Sequence, residues 1–312
     1  MNHHHLEAKP TIHRWDNSVP ARHTIESGDR ITLEMLDASG GQVFPGMTSA
    51  QFAGIDTMLI HALTGPVGID GAEPGDALRI KILEYRHHGW AWTSIIPGLG
   101  LLPEDFPQHF LFHWKLDESQ TSSMPGVTLD LHPFCGIIGV QRAAEGEFRT
   151  RAPGPWGGNM DVKHLIAGAE LMLPVATTGA GFCAGDSHAA QGDGEVSING
   201  MEAPMTATFE IERVKGGAPR GPIANVPPSL VPPRYLRNNW IVFIESHEDP
   251  REACKAVVRR FIGYLTKRLG ISPEQAYVLC SVVLDLKVSQ LVNQPVTTIS
   301  GYLPEAIFNE SA

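Results

Sequence analysis

A tight turn followed by strict alternation is found at Glu73-Pro74-Gly75-Asp76-Ala77-Leu78-Arg79-Ile80-Lys81-Ile82-Leu83. After the Gly-Asp turn, apolar and polar side chains alternate with a period of two, the pattern of a half-buried β-strand entered from a sharp bend. The pattern recurs with variation twice, where Glu26-Ser27-Gly28-Asp29 leads into residues 30–35 and Ala167-Gly168-Ala169-Glu170 leads into residues 171–175. This repetition predicts a protein built mainly of β-strands.

Further apolar or alternating segments predict strands at residues 136–140, 194–198, 205–214 and 240–245. The 32 glycines and 24 prolines among 312 residues are more than a helical bundle tolerates, and they favour a turn-rich fold. A chain of this length can bury a large core. We therefore predict a mainly β fold, with a decorated β-sandwich or jelly-roll-like body and a C-terminal helical portion that makes the whole α+β.

Two helices are predicted near the C-terminus. Asp249-Pro250-Arg251-Glu252 combines an N-cap, a proline at the first helical position and an acidic first turn. Apolar residues then recur every four positions over residues 253–269, and Gly270 ends the helix. The capping box Ser272-Pro273-Glu274-Gln275 opens a second helix, which we expect to extend to about Val292.

Composition divides the chain into three parts. Residues 1–215 are predicted to form a β-rich body that carries the candidate site, and residues 246–312 a helical portion packed on it. Residues 216–245 between them are a crossover rich in proline and glycine, followed by a returning strand. The apolar, glycine-rich loop at residues 96–103 is predicted either to tuck under the body or to cover a small-molecule pocket.

Charge and cysteine use narrow the range of partners. The net charge of −10 argues against a nucleic acid or an anionic membrane as partner. No window approaches eighteen apolar residues, so we expect no transmembrane span. The cysteines are scattered without a C-x-x-C pair, which favours free, buried thiols and a cytoplasmic protein. They are Cys135, Cys183, Cys254 and Cys280.

The strongest candidate for a site is the loop Gly185-Asp186-Ser187-His188-Ala189-Ala190-Gln191-Gly192-Asp193-Gly194-Glu195. Its glycines favour sharp turns or close approach of the backbone. On an extended segment, Asp186 and His188 share a face and can reach one ion, and Glu195 follows as a carboxylate able to activate water. These residue types favour a hydrolytic metal site. A thiol nucleophile at Cys183, three residues before Asp186, is a less favoured alternative.

Other turns carry weaker signals. Gly157-Gly158-Asn159-Met160-Asp161 presents an amide and a carboxylate, although an Asx turn is the better explanation of this segment taken alone. Glu73 is either a site carboxylate or a solvated turn residue. The chain contains no H-E-x-x-H, G-x-S-x-G, P-loop or G-x-G-x-x-G motif in a suitable context, which excludes the common zinc-protease, α/β-hydrolase and nucleotide-binding classes.

With these segments taken together, the sequence resembles the acetamidase/formamidase family. The resemblance runs in order through nearly the whole chain, and the Gly-Asp-x-His-Ala-Ala-Gln-Gly-Asp-Gly-Glu run is its most specific part. The segments that carry it are Trp15-Asp16-Asn17-Ser18, Glu26-Ser27-Gly28-Asp29, Leu63-Thr64-Gly65-Pro66, Gly71-Ala72-Glu73-Pro74-Gly75-Asp76, Pro97-Gly98-Leu99-Gly100-Leu101-Leu102, Gly157-Gly158-Asn159-Met160-Asp161, the 185–195 loop, Glu274-Gln275-Ala276-Tyr277-Val278-Leu279-Cys280-Ser281 and Tyr302-Leu303-Pro304.

The resemblance implies a decorated β fold that hydrolyses short aliphatic amides to ammonia and a carboxylate. Some relatives act on cyclic amides, and metal dependence with oligomeric assembly is typical of the family. Two segments depart from the pattern expected of relatives, Ser289-Gln290-Leu291-Val292-Asn293 and residues 141–155. These departures leave the identity of the amide open.

Our hypothesis is a metal-assisted amidohydrolase. Asp161, Asp186 and His188 are expected to hold a divalent ion, with zinc favoured and calcium possible, and to leave one position open for water. Glu195 is expected to take the water's proton and return it to the leaving nitrogen, with Glu73 as the next candidate for this role. Asp193 is expected to be structural. Three residues are candidates for orienting the substrate or stabilising the tetrahedral oxyanion: His61, Asn159 and Gln191.

Two other functions remain open at this stage. A γ-lactam or other cyclic-amide hydrolase would use the same site. A calcium-dependent carbohydrate-binding module is the alternative outside enzymes, although such a module would lack the pairing of His188 with Glu195. As partners we expect a small amide substrate and further copies of the chain in a homo-oligomer, with no nucleic acid and no membrane.

Overall fold

The computed structural model describes residues 1–309, and these residues form twenty strands, four α-helices and two short 3-10 helices. The strands are β1 (His3–Leu6), β2 (Arg14–Trp15), β3 (His23–Ile25), β4 (Asp29–Met35), β5 (Leu63–Ile69), β6 (Ala77–His87), β7 (Trp90–Ile95), β8 (Phe110–Lys115), β9 (Gln120–Thr121), β10 (Leu129–Asp130), β11 (Phe134–Gly139), β12 (Phe148–Arg149), β13 (Gly157–Asn159), β14 (Glu170–Pro174), β15 (Phe182–His188), β16 (Met205–Val214), β17 (Ile223–Asn225), β18 (Trp240–His247), β19 (Asp285–Gln290) and β20 (Thr297–Pro304). The helices are α1 (Ser49–Phe52), α2 (Pro233–Leu236), α3 (Pro250–Leu269) and α4 (Pro273–Val283), with 3-10 helices at Thr57–Leu59 and Glu305–Ile307.

Two sheets form the body. The larger has the strand order β1-β4-β16-β6-β14-β17, and the second has the order β13-β11-β15-β5-β3. They pack face to face through buried side chains, for example Phe182 of β15 against Phe209 of β16 with ring centroids 5.4 Å apart. The predicted mainly β fold, with a sandwich-like body and a C-terminal helical part, is confirmed.

The three predicted turn-strand repeats become β4, β6 and β14, which all belong to the six-stranded sheet. β14 pairs antiparallel with β6, and its alternating residues Leu171 and Leu173 are buried. The turn before β6 is built as expected, because the Asp76 carboxylate accepts a bond from the backbone N–H of Glu73 at 3.1 Å. Alternation therefore identified both the strands and the faces that they bury.

One strand and one helix end predicted from the sequence are wrong. Residues 194–198 form turns instead of a strand, since Glu195 and Ile198 have φ values of 44° and 105°, which a pleated strand does not accommodate. The second C-terminal helix ends at Val283 and does not reach Val292. The chain continues as β19, which pairs with β20, so sheet pairing prevails over the helical pattern there.

The C-terminal part combines the sheet β18-β20-β19 with α3 and α4. The predicted caps are present: the Asp249 side chain accepts from the Arg251 N–H at 2.7 Å, and Gly270 has a φ of 67°. Helix α3 packs on β18 through Phe261 and Phe243, whose ring centroids are 4.4 Å apart. The strand at Trp240–His247 thus belongs to the same sheet as the last strands of the chain.

Helix α4 connects this part to the loops of the body. The Tyr277 hydroxyl accepts bonds from the backbone N–H groups of Leu101 and Leu102, at 3.0 and 2.9 Å, and donates to the Val196 carbonyl. Ser281 accepts from the Ser197 N–H at 3.0 Å. The C-terminal part therefore holds in place both the apolar 96–103 loop and the end of the 185–195 loop.

Residues 1–309 contain no helix suited to span a membrane and no disulfide. No described helix is at once long and apolar enough to cross a bilayer. All four cysteines are free. Cys135, Cys183 and Cys280 are buried and Cys254 is half-buried, so the prediction of free thiols that pack as small apolar groups is confirmed.

Candidate active site

The last residues of β15 lie at the centre of the candidate site. β15 is the middle strand of the five-stranded sheet, and its last three residues include Asp186 and His188, both buried. The Asp186 Oδ1 atom lies 3.7 Å from the His188 Nε2 atom. Phe134 of the neighbouring strand β11 packs edge-on against the imidazole, with centroids 5.1 Å apart. The ring is therefore fixed on an apolar side and faces carboxylates on the other.

Asp161 reaches the same point from another part of the chain. It follows β13, which pairs with β11, and β11 pairs with β15. Gly136 of β11 lies beneath the two carboxylates: a Cβ atom there would come within 2.6 Å of Asp161 Oδ1 and 3.0 Å of Asp186 Oδ2. Glycine at this position is what allows two carboxylates to approach each other above the strand.

Glu202 completes the cluster, and the sequence analysis missed it. Its Oε1 atom lies 3.0 Å from His188 Nε2, and its side chain is buried. The segment before β16 brings it in through isolated bridges to Trp92 and His188. The available signal was a single carboxylate in the apolar run Gly200-Met201-Glu202-Ala203-Pro204, where a buried charge demands a partner.

Two overlapping sets of side chains offer metal ligands. Asp161, Asp186 and His188 form one, and His188, Glu195 and Glu202 form the other, with all ligand atoms of a set within 4.8 Å of one another. Two buried carboxylate oxygens, Asp161 Oδ1 and Glu202 Oε2, have no hydrogen-bond partner among residues 1–309. Buried carboxylate oxygens without donors fit a site that is completed by a cation.

Gln191 orients the histidine. Its side-chain oxygen lies 2.7 Å from His188 Nδ1, and its amide nitrogen donates to the Asp161 carbonyl at 3.1 Å. With Nδ1–H donating to Gln191, the lone pair of Nε2 points into the carboxylate cluster, as a metal-ligating histidine requires. Gln191 thus positions His188 and the backbone of Asp161 by hydrogen bonds.

Burial and mutual repulsion govern ionisation in the cluster. Burial, with the Asp186 charge added, raises the pKa of Asp161 to about 7, and burial raises the pKa of Glu202 to about 8. Burial also raises the pKa of Glu195 well above its ordinary value. Burial would raise the pKa of Asp186 too, but the charges of His61 and His188 and hydrogen bonds from its neighbours hold it at about 2. Burial disfavours the His188 cation, yet Glu202 and Asp186 outweigh this and raise its pKa.

Backbone strain is concentrated in the same place. Six described residues other than glycine have φ in the left-handed region, and four of them are His61, Asp161, Asp186 and Glu195. Such conformations cost free energy and persist where surrounding contacts impose them, which is typical of functional sites. The backbone is bent at the points where these four side chains are needed together.

A cavity of about 570 Å³ opens onto the cluster. Asp186, Glu195 and Glu202 line its acidic part, together with the candidates His61 and Asn159. His61 Nδ1 lies 3.1 Å from Thr150 Oγ1, and the buried Asn159 Oδ1 has no partner. The apolar wall consists of Phe52, Ile55, Ile60, Trp92, Ile96, Leu99 and Ile198. The 96–103 loop therefore both covers the pocket, through Ile96 and Leu99, and is anchored below by Tyr277.

Three sequence candidates lie away from the cavity. Glu73 is exposed and accepts from Thr178 Oγ1 at 2.8 Å, so the structure does not bring it to the cluster, because its turn opens at the entry to β6. Asp193 lies 3.5 Å from Lys163 Nζ, and its N–H donates to the buried Asp285 at 3.1 Å, a contact that fixes the loop. Cys183 is packed in the core, and burial raises its pKa, which disfavours a thiolate nucleophile.

Comparison with known proteins identifies the family of the chain. The chain matches the acetamidase/formamidase family over residues 1–145 and 140–310. It is 26% identical to a formamidase of Methylophilus methylotrophus, covering 97% of this chain and 92% of that protein. It is also 26% identical to an acetamidase of Mycolicibacterium smegmatis, covering 88% and 85%.

Solved structures of amide-hydrolysing proteins are similar to this chain over nearly its whole length. A γ-lactamase from Delftia acidovorans superimposes with a TM-score of 0.89 at 26% identity, covering 97% of this chain and 91% of that one. An acetamidase from Bacillus halodurans superimposes with a TM-score of 0.68 at 29% identity, covering 96% of each chain. The family match spans nearly all of the chain, including every residue of the carboxylate-histidine cluster. The chain belongs to the acetamidase/formamidase family.

Proposed function

We propose that this protein is a metal-dependent amidohydrolase that cleaves the C–N bond of short amides to ammonia and a carboxylate. The observation that carries the proposal is the cluster of Asp161, Asp186, His188 and Glu202 at the acidic end of a cavity that also has an apolar wall. Several carboxylates in one buried place cost much free energy unless a cation offsets their charge. Membership of a family whose named relatives hydrolyse amides supports the same reaction class.

The donor set favours a divalent ion, and zinc above calcium. Asp161, Asp186 and His188 would hold it, with Glu202 against the same imidazole nitrogen. An imidazole among two or three carboxylates suits zinc, whereas calcium prefers a shell made of oxygen atoms alone. When bound, such an ion polarises an amide carbonyl and makes a bound water acidic.

The protein's own side chains supply the remaining steps. Glu195 accepts the proton of the attacking water and returns it to the nitrogen, so that ammonia leaves in place of an amide anion. We assign the buried Asn159 Oδ1 to accept from the substrate N–H₂ group, and His61, which contacts Thr150 and lines the cavity, to stabilise the oxyanion. Trp92, Ile96 and Leu99 exclude bulk water around the acyl group.

Metal analysis of the purified protein, combined with turnover assays, tests this function. We expect about one zinc ion per chain and release of ammonia from acetamide or formamide. Chelation should abolish this activity and added zinc should restore it. Full activity in exhaustively chelated protein would contradict the proposal, and so would metal-loaded protein that hydrolyses none of the amides.

A γ-lactam hydrolase is the second candidate function. It is favoured by the TM-score, which is 0.89 for the γ-lactamase and 0.68 for the Bacillus halodurans acetamidase. Opening of 2-pyrrolidinone, followed as a new primary amine, would distinguish it from hydrolysis of linear amides. A carbohydrate-binding module finds no support, because the carboxylates are buried beside His188 and do not form an exposed glycan platform.

Replacing Glu195 with glutamine should separate proton transfer from metal binding. In Glu195→Gln we expect zinc to remain and kcat to fall by roughly 10²–10⁴-fold, the usual contribution of a general base. Gln keeps the size of the side chain but accepts no proton. Metal content and kcat are measured on the same preparation, with Glu73→Gln as the matched control. Loss of zinc in Glu195→Gln would instead make Glu195 a ligand.

We further propose that the protein is cytoplasmic, acts on a small amide substrate and forms a homo-oligomer. Four free cysteines favour a reducing compartment. Val242 and Ile244 are exposed on the strand β18, and apolar side chains of this kind favour burial against another copy. Size-exclusion chromatography with light scattering gives the assembly directly.

A further inference from the structure

Three arginine side chains line the cavity that contains the carboxylate cluster: Arg14, Arg149 and Arg151. None of them has a carboxylate within ion-pair distance in the described part of the chain. The arginines that do form ion pairs there are Arg30, Arg79, Arg86, Arg213, Arg234, Arg259 and Arg260. In a chain of net charge −10, Arg14, Arg149 and Arg151 give this cavity a local concentration of positive charge, with Arg14 half-buried and the other two exposed.

Two of these side chains are held close together despite their like charge. Arg14 of β2 stands directly opposite Arg149 of β12 in the antiparallel register. Both guanidinium groups point at the Met58 sulfur atom, which lies 3.7 Å from Arg14 Nη2 and 3.1 Å from Arg149 Nη2. A thioether is a weak acceptor, and like charges opposite each other destabilise a strand pair. Arg14 Nη1 donates to the His13 carbonyl at 2.8 Å, and the Nη2 groups that face the Met58 sulfur are available to an anion.

The arginine-bearing segment is also tied to the candidate catalytic residues. Thr150, between the two arginines of this segment, is buried and contacts His61 at 3.1 Å. The Arg151 carbonyl accepts from the Asn159 amide at 3.2 Å. The positive wall and the acidic cluster thus belong to one connected site.

The dimensions of the cavity exceed what the smallest amides need. Acetamide has four heavy atoms, whereas a cavity of about 570 Å³ falls within the range of about 300–1,000 Å³ that holds drug-sized ligands. Apolar side chains such as Phe52, Ile55 and Ile60 line the same space. A ligand that matches the acidic cluster, the apolar wall and the arginines has an amide, an aliphatic spacer and an anionic end.

We infer that the preferred substrate is a monoamide of an aliphatic dicarboxylic acid, with its free carboxylate on Arg14 and Arg149 and its amide at the carboxylate-histidine cluster. The inference rests on the proposed amidohydrolase function. Planar guanidinium groups bind carboxylates by paired, charge-assisted hydrogen bonds. In the reaction, the water oxygen forms a bond to the carbonyl carbon and the C–N bond breaks: succinamate and water yield succinate and ammonium, with both protons of the water leaving on the nitrogen.

The test compares an anionic substrate with a neutral one of the same shape. Succinamate and 4-oxopentanamide differ in that a methyl ketone replaces the carboxylate, and both release ammonia. We expect the wild-type kcat/KM to be at least about tenfold higher for succinamate, the size of effect that one charge-assisted contact gives. In Arg14→Gln and Arg149→Gln this preference should fall about tenfold, mainly through KM. Arg220→Gln, an exposed arginine outside the cavity, is the matched control and should keep the wild-type preference.

The outcomes separate the two proposals. If the metal-loaded enzyme hydrolyses the neutral amide as well as succinamate, and the Arg14 and Arg149 variants keep the same ratio, the dicarboxylic monoamide is wrong while the amidohydrolase stands. If no amide in the panel releases ammonia, the proposed function fails first. An equal loss of preference in Arg220→Gln would assign the effect to overall charge and overturn the role of the cavity arginines.

Discussion

His188→Ala is expected to lose the bound metal and to lower amide hydrolysis by about 10³-fold or more. His188 belongs to both sets of metal ligands and supplies their nitrogen donor. A metal ion contributes several kcal/mol to hydrolysis, and each 1.36 kcal/mol is a factor of ten in rate. Zinc content and kcat/KM on the best amide of the panel are the measurements.

The substitution is buried, so its effect on folding is measured alongside. Far-UV circular dichroism and the melting temperature of metal-free protein establish whether the variant folds, and His188→Gln is a second variant that keeps a polar side chain of similar reach. His88→Ala, an exposed histidine, is the control. Unchanged zinc content and unchanged turnover in folded His188→Ala would show that the site has been misassigned.

The stability of the metal-free protein is expected to fall as pH rises from about 5 to about 8, and a bound divalent ion is expected to abolish most of that loss. Asp161 and Glu202 have pKa values raised to about 7 and about 8. Their folded forms hold protons that the unfolded chain has already released above about pH 4.5. This contribution to stability is complete below that pH and is lost as pH rises through 7 and 8.

Between pH 5 and pH 8, His188 and Asp186 do not reverse this trend. The raised pKa of His188 also favours folding at low pH and loses this effect as pH rises. Asp186 has the opposite sign, with its pKa lowered to about 2, but its contribution is lost only at strongly acidic pH, outside this range. The pKa values of Asp161 and Glu202 each lie about three units above those of the unfolded chain, which corresponds to roughly 4 kcal/mol per group, so the melting temperature should fall by on the order of 10 °C or more.

Melting curves at pH 5, 6, 7 and 8, with chelator and with zinc, give this dependence. Zinc binding needs deprotonated carboxylates, so it should also tighten with rising pH and release protons, which calorimetry in buffers of different ionisation enthalpy detects. A metal-free protein with the same melting temperature across this range would contradict the proposed ionisation of the cluster.

Local features of the fold were predictable because their causes are local. The turn before β6 needs a glycine and an aspartate beside it, and alternation along β6 follows from the two faces of a half-buried strand. The N-caps Asp249 and Ser272 satisfy N–H groups only a few residues away. The proximity of Asp186 and His188 likewise follows from their spacing of two along one strand.

The remainder depended on partners distant in sequence. The end of α4 is decided by the pairing of β19 with β20, and residues 194–198 form turns where α4 packs against them. Glu202 joins His188 only because the segment before β16 crosses the end of β15. Glu73 had the right residue type for a catalytic carboxylate, but its turn faces solvent.

The sequence by itself determined the strand pattern, the helix caps, the family and the loop that carries Asp186, His188 and Glu195, because each of these follows from neighbouring residues or from a continuous motif. Asp161 and His61 were candidates from the sequence, but only the tertiary structure brought them to that loop and added Glu202 and the arginine pair. Convergence depends on which strands pair and on the space that Gly136 leaves between two carboxylates. No spacing along one chain encodes that information in a form that a single sequence reveals.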